Sequence, residues 1–182
     1  MMRSFCQWLL ARLGWRVTGQ LPEFQFVMIV GPHSSNWDFI IGIIARFAVG
    51  RNIHFIGKHQ LFIPPWGWLF RAMGGYPVNR AKANNLVESA VELYASNPEF
   101  CLALAPEGTR SAVTRWKTGF YHIAKKAKVP IVCVGLDFGL KQVQLQAPIA
   151  TSDDMSADMN RLLDYFRSVT PKYPKDIPSY QD

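Results

Sequence analysis

The chain predicts an α/β fold, a single layered domain with a largely parallel central sheet flanked by helices. Three observations lead there. Short apolar runs alternate with segments of helical spacing from about Phe24 to Phe166. The runs Phe24–Val30, Phe100–Ala105 and Pro130–Phe138 are nearly continuous in apolar residues, as buried strands are. No repeat, low-complexity tract or long linker divides the 182 residues, a length that suits one continuous core.

Residues 2–14 read as a helix carrying Phe5, Trp8, Leu9, Leu10 and Leu13, followed by Trp15. Arg12 and Arg16 project near Phe5 and Leu9, and Trp beside Arg suits a helix lying on a membrane surface. Packing against its own domain explains the same pattern equally well. Residues 1–20 therefore form an N-terminal helical segment, 21–170 the main domain and 171–182 an irregular, proline-bearing tail.

Within the domain, the first strand ends at Gly31-Pro32 and a polar loop follows. Asn36 is placed to cap a helix from about Trp37 to Val49. Ile53–Gly57 reads as a strand. Leu61–Phe70, interrupted by Pro64, Pro65 and Gly67, reads as a loop entering a short helix, and Tyr76–Val78 as a short strand. Leu86, Ala90, Leu93 and Tyr94 give helical spacing to 83–96. After Phe100–Ala105 come a helix over 118–128, a strand over 130–138 and an alternating strand over 141–147. Met155, Met159, Leu162, Leu163 and Phe166 mark the last helix.

Hydrophobic residues make up 49% of the chain and charged residues 18%, an apolar excess that fits a lipid contact. Lys and Arg outnumber Asp and Glu by 20 to 13, unevenly along the chain. No acid lies between Asp38 and Glu88, where Arg46, Arg51, Lys58, Arg71, Arg80 and Lys82 fall. The segment from Arg110 to Lys128 carries six cations and no anion. Such a field favours an anionic partner: a phospholipid headgroup, a phosphorylated cofactor, an acidic carrier protein or nucleic acid. The three cysteines, Cys6, Cys101 and Cys133, have neither disulfide nor metal-site spacing, which points to a reducing compartment. Arg3, Arg12 and Arg16 break any cleavable leader pattern, and no run reaches the ~18 apolar residues of a membrane span. A bilayer, if one is met, is met from its surface.

Two polar clusters follow core strands directly: His33-Ser34-Ser35-Asn36-Trp37-Asp38 and Glu107-Gly108-Thr109-Arg110. In open α/β sheets, ligands bind in the crevice beyond the carboxyl ends of the strands. Parallel strands would bring both clusters to one site. A histidine suits the removal of a hydroxyl proton during attack on a carbonyl, provided a neighbour fixes its tautomer. Asp38, five residues after His33, is in reach of that task, although a helix-start Asp is commonly a plain cap. Arg110, beside Thr109 and Gly108, offers a fork of donors and close backbone approach to a phosphate. Glu107 either accepts from a substrate hydroxyl or holds Arg110. Arg80, after Gly74-Gly75-Tyr76-Pro77-Val78, is a second phosphate candidate.

Taken in order, His33…Asp38, Tyr76-Pro77-Val78-Asn79-Arg80, Pro106-Glu107-Gly108-Thr109-Arg110-Ser111 and Val129-Pro130-Ile131-Val132 resemble four blocks of the glycerolipid acyltransferases. These include the lysophospholipid and 1-acylglycerol-3-phosphate acyltransferases. Lys58, in Gly57-Lys58-His59-Gln60-Leu61-Phe62, resembles a lysine that follows the first block. The resemblance implies a glycerol-3-phosphate acyltransferase-like fold and an O-acyltransferase of phospholipid biosynthesis. His33 and Asp38 would be its catalytic dyad. Arg80, Glu107, Gly108, Thr109 and Arg110 would bind the acceptor, chiefly its phosphate, with Lys58 near the site. Acyl-CoA or acyl-carrier protein would be the donor and a lysolipid the acceptor, by default 1-acylglycerol-3-phosphate, with no metal or other cofactor. The enzyme would be cytoplasmic, peripheral on an anionic membrane face. Ser34-Ser35-Asn36-Trp37 and Tyr76-Pro77-Val78 depart from the commonest fillings of their blocks, which bears on acceptor choice rather than on the dyad.

Three other readings compete. A catalytically idle lipid-binding or scaffolding protein on this fold would have no use for a base. A nucleic-acid binder is suggested by charge alone, without a recognition motif. His54, His59 and His122 lack the spacing of a hydrolytic metal centre.

Overall fold

A computed structural model describes residues 2–78 and 83–180. Helix α1 spans Met2–Arg12, and strand β1 (Arg16–Thr18) follows. Strand β2 (Val27–Gly31) leads into α2 (Asn36–Val49). Next come β3 (Ile53–Lys58), a 3₁₀ turn (His59–Phe62), α3 (Gly67–Ala72), β4 (Gly75–Val78) and α4 (Ala83–Ser96). The second half holds β5 (Cys101–Leu104), α5 (Gly119–Ala127), β6 (Ile131–Asp137), β7 (Gln142–Leu145) and α6 (Met155–Arg167). Residues 171–180 form neither helix nor strand.

The strands make one seven-stranded sheet in the order β1-β7-β6-β2-β5-β3-β4. Among the described residues, the pairings between these strands are parallel except β6–β7, which is antiparallel. This is the α/β fold with a mostly parallel sheet that the alternation of runs predicts. Strand β1 was not foreseen: three residues, Arg16-Val17-Thr18, are too few to carry a period, and they join the sheet edge by pairing with Gln142-Val143-Gln144. Phe24 lies outside β2 and is exposed, so the first core strand begins later than its apolar run.

β2 sits centrally between β6 and β5 and alternates between two cores. Val27 and Ile29 face one core with Tyr94, Phe120, Ile123, Leu162 and Phe166. Phe26 and Met28 face the other with Leu10, Ile41, Ala45 and Ala48. Leu10 and Cys6 of α1 are buried in that second core, while Phe5 and Trp8 of the same helix stay exposed and stack at 5.9 Å. The helix thus covers the core and still presents an aromatic face. Trp66 and Trp68, at the start of α3, are 64% and 70% exposed. Among the described residues, no helix is long and apolar enough to cross a membrane.

The pairings Val27↔Leu102 and Ile29↔Leu104 are parallel, so β2 and β5 end side by side. The loops carrying His33 and Glu107 therefore leave the same edge of the sheet. Sequence distance is erased here by strand pairing.

Candidate active site

The His33 loop is shaped by the start of α2. Ser35, not Asn36, is the N-cap: its Oγ accepts from the Trp37 N–H at 3.1 Å. Asp38 completes a capping box. Its Oδ2 accepts the Ser34 and Ser35 N–H groups, each at 2.7 Å, and Oδ1 accepts from Ser35 Oγ at 3.3 Å. A Ser followed three residues later by an acid before an apolar run was a readable signal for this cap. The Asp38 carboxylate, 2% exposed, is thus engaged by its own turn. Among the described residues it makes no hydrogen bond or ion pair with His33. The expected dyad contact is not formed in this arrangement.

The carboxylate at the ring is Glu107. Its Oε1 accepts the His33 backbone N–H at 2.7 Å and lies 3.6 Å from His33 Nδ1. That separation exceeds a hydrogen bond, so the contact with the ring is electrostatic. Nδ1 itself is buried and has no hydrogen-bond partner among the described residues. Gly31 permits this approach, because a Cβ there would sit 3.3 Å from Oε1 and 3.4 Å from the Phe166 ring. Gly108 follows with φ +66, a left-handed turn for which glycine is the default residue.

The tail supplies a partner for Glu107 that no motif announced. Lys175 pairs with Oε2 of Glu107, its side chain only 3% exposed. Its Nζ also donates to the His33 carbonyl at 2.9 Å and the Thr109 carbonyl at 3.3 Å. Burial alone would raise the Glu107 carboxyl. The neighbouring His33 ring, the Lys175 ammonium and the His33 N–H outweigh burial and hold it below its ordinary value.

A cavity of ≈ 980 Å³ opens beside this cluster. His33, Gly108, Thr109, Arg110, Arg115 and Lys117 line its polar part, and Ile56, Leu86, Val87, Leu104, Phe120 and Ile123 its apolar part. His33, Gly108, Thr109 and Arg110 of the predicted set therefore meet at one wall. Arg115 and Lys117, two of the six cations from Arg110 to Lys128, add to the charge of this lining. Lys58 closes β3, and Arg80 lies outside the described residues. Cys133 is fully buried in β6, where desolvation pushes its thiol up to about 12, which disqualifies it as a nucleophile.

Residues 15–137 match the family described as Acyltransferase, well over half of the chain. The chain belongs to the acyltransferase family. It is 29% identical over 142 residues to a 1-acyl-sn-glycerol-3-phosphate acyltransferase of Salmonella typhimurium, covering 68% of this chain and 57% of that protein. The Escherichia coli enzyme of the same description is 29% identical over 159 residues, covering 77% and 63%. The chain thus spans less than two thirds of the curated relatives it matches. The crystal structure of the 1-acyl-sn-glycerophosphate (LPA) acyltransferase PlsC from Thermotoga maritima superposes with a TM-score of 0.64 at 19% identity. That match covers 91% of this chain and 75% of the Thermotoga chain, and it shows the fold.

Proposed function

We propose that this acyltransferase moves a fatty acyl chain from acyl-CoA or acyl-carrier protein to the hydroxyl of a lysophospholipid-type acceptor, 1-acylglycerol-3-phosphate by default. The observation that carries this reading is the position of His33. It stands on the wall of a cavity joining a cationic rim to an apolar interior, next to a buried carboxylate. An acyl chain suits the apolar part and a phosphate suits the rim. The cavity is at the upper end of the ~300–1,000 Å³ range of ligand pockets.

With Nδ1 turned toward Glu107, Nε2 is the nitrogen left for the acceptor hydroxyl. His33 takes the hydroxyl proton as the oxygen attacks the thioester carbonyl, and a tetrahedral intermediate forms. Its collapse breaks the C–S bond, and the leaving thiolate recovers the proton from His33. The base works directly on the acceptor, so no acyl-enzyme is required. Asp38 holds the Ser34–Ser35 turn that carries His33 and places a fixed negative charge near the developing imidazolium. Glu107 faces the ring, and Arg110 with Arg80 and Lys58 serves the acceptor phosphate.

The reaction is tested by incubating the purified protein with labelled acyl-CoA or acyl-carrier protein and a panel of lysolipids, with mass spectrometry of the products. Transfer to a lysolipid hydroxyl is expected. Thioester hydrolysis alone, or binding without turnover, would favour the idle lipid-binding protein.

We place the enzyme on the cytoplasmic face of an anionic bilayer. The support is the exposed aromatic surface of Phe5, Trp8, Trp66 and Trp68 near Arg12 and Arg71. Each nearby cation adds ~1 kcal/mol on a negative surface. Trp66→Ala with Trp68→Ala should reduce flotation on anionic liposomes while leaving the urea midpoint unchanged. Removing residues 1–16 should reduce flotation and stability together, because Cys6, Leu10 and Trp15 are core residues. Full flotation after both changes would show that neither segment is the anchor, and absence of flotation in the parent protein would remove the peripheral reading.

A further inference from the structure

The tail after α6 is tied to the His33 loop at successive points. The Tyr173 N–H donates to Ser34 Oγ at 3.1 Å, and Lys172 Nζ lies 4.9 Å from the centre of the Trp37 ring. Further on, the Pro178 carbonyl accepts from Arg167 of α6 at 2.9 Å. Between these anchors the chain delivers Lys175 to the gap between the two loops that define the site.

We propose that Lys175 is a positioning residue for His33, a deepening that rests on the acyl-transfer reading above. An ammonium has three donors and no acceptor. Those of Lys175 have three acceptor neighbours: Glu107 Oε2, the His33 carbonyl and the Thr109 carbonyl. Its charge is matched inside the protein and its side chain is buried, so Lys175 differs in kind from Arg110, which is exposed on the cavity wall. Its task is internal. It binds the loop after β2 to the loop after β5 and neutralises Glu107, which is buried and would otherwise resist ionisation.

The consequence reaches His33 through Glu107. An ionised carboxylate at 3.6 Å from Nδ1 favours the tautomer with the proton on that nitrogen, leaving Nε2 free as the base. Without the ammonium, Glu107 loses the counter-charge on its Oε2 side and keeps only the His33 N–H. Its hold on the tautomer of the ring weakens, and the two loops lose their common tie. Lys175 touches no reacting atom and acts on rate through the orientation and tautomer of the ring.

The experiment compares five proteins: the parent chain, Lys175→Met, Lys175→Arg, Glu107→Gln and the double variant Lys175→Met/Glu107→Gln, with Glu107→Gln as the reference for the last. Acyl transfer is assayed over a range of lysolipid concentrations. In parallel, long-range ¹H–¹⁵N spectra read the His33 tautomer at a pH where imidazole is neutral, with the signal assigned through His33→Gln. Lys175→Met should lower kcat by ~10-fold or more, a fraction of the ~10²–10⁴ a general base supplies. The acceptor KM should stay within about twofold, because uniform binding is not what was removed. Lys175→Arg should recover part of the loss. In the Glu107→Gln background the same Lys175→Met change should have little further effect, since residues acting through one another are not additive. The spectra should show a loss of preference for the Nδ1–H form in Lys175→Met.

An unchanged kcat in folded Lys175→Met would overturn the proposal. So would an equal loss in the Glu107→Gln background, which would make the tail a mere fastening, or a loss confined to the acceptor KM, which would make Lys175 a phosphate ligand. If Lys175→Met does not fold, the double variant, which removes both buried charges together, and Lys175→Arg still carry the comparison. Failure of the parent chain to transfer acyl groups would sink the functional reading, while the tautomer spectra would still decide the role of Lys175.

Discussion

Asp38 and Glu107 flank the same histidine loop at nearly equal burial, 2% and 3% exposed, and they are satisfied in opposite ways. Among the described residues, Asp38 takes its hydrogen bonds from Ser34 and Ser35, four and three residues away, without a cation. Glu107 takes one from the His33 N–H, 74 residues away, and pairs with Lys175 from the far end of the chain. A carboxylate supplied by its own turn behaves as a local structural part and survives changes elsewhere. One neutralised across the fold is coupled to every segment that reaches it. Residue type and burial are alike here, and the provenance of the partners makes the difference.

The largest effect should come from the ring carried by the loop that both carboxylates hold. His33→Ala should lower turnover by at least ~10² in a protein that remains folded. Near-normal acyl transfer by that variant would make the comparison irrelevant to catalysis.

Substituting each carboxylate separates the two regions. Glu107→Gln leaves the Lys175 ammonium buried without its counter-charge, and loss of ~3–5 kcal/mol is expected for a broken buried pair. Asp38→Asn can keep its carbonyl on the Ser34 and Ser35 N–H groups and turn its amide toward Ser35 Oγ. It should lose only ~1 kcal/mol of stability, the ordinary scale of a cap. Its turnover should nevertheless fall by ~10² or more, because the charge near the imidazolium is gone. Urea midpoints and single-turnover rates on the two variants check this. Equal destabilisation would break the distinction between local and long-range satisfaction.

On the Glu107 side of the site, Arg110→Ala should raise the KM for a phosphate-bearing acceptor by about 10–150-fold, the loss of one charge-assisted bond of ~1.5–3 kcal/mol. An equal loss with acceptors lacking phosphate would return Arg110 to the fold or the donor.

The smallest expected signal is in acid. Glu107 is held below its ordinary value of 4.5, so its ionisation contributes stability that is fully present above that value. The contribution disappears as pH falls through the lower folded value. The parent protein should therefore lose stability more steeply than Glu107→Gln does as pH falls below 4.5. Parallel acid profiles would show that Lys175 and the His33 N–H do not favour the charged form.

Much of this was legible along the chain. The helix over 83–96 and the last helix beginning at Met155 carry their own period, and each core strand is a short apolar run closed by Gly, Pro or a polar loop. The four ordered blocks identified the family. The cap of α2 was written in Ser35-x-x-Asp38 and was misassigned to Asn36, because a short polar run offers several caps and only backbone geometry selects among them. Strand β1 carried no period to read, and its place at the sheet edge depends on β7.

What the sequence determined by itself is whatever acts over a few residues: turns, periods, caps, and the two polar clusters that follow core strands. Their meeting on one wall required the parallel pairing of β2 with β5. The assignment of Glu107 rather than Asp38 to the ring, and the arrival of Lys175 between the loops, were decided by tertiary structure alone. The physical reason is the energetics of burial. A carboxylate removed from water must find hydrogen bonds or a counter-charge wherever the fold brings them, and sequence separation places no limit on where that is.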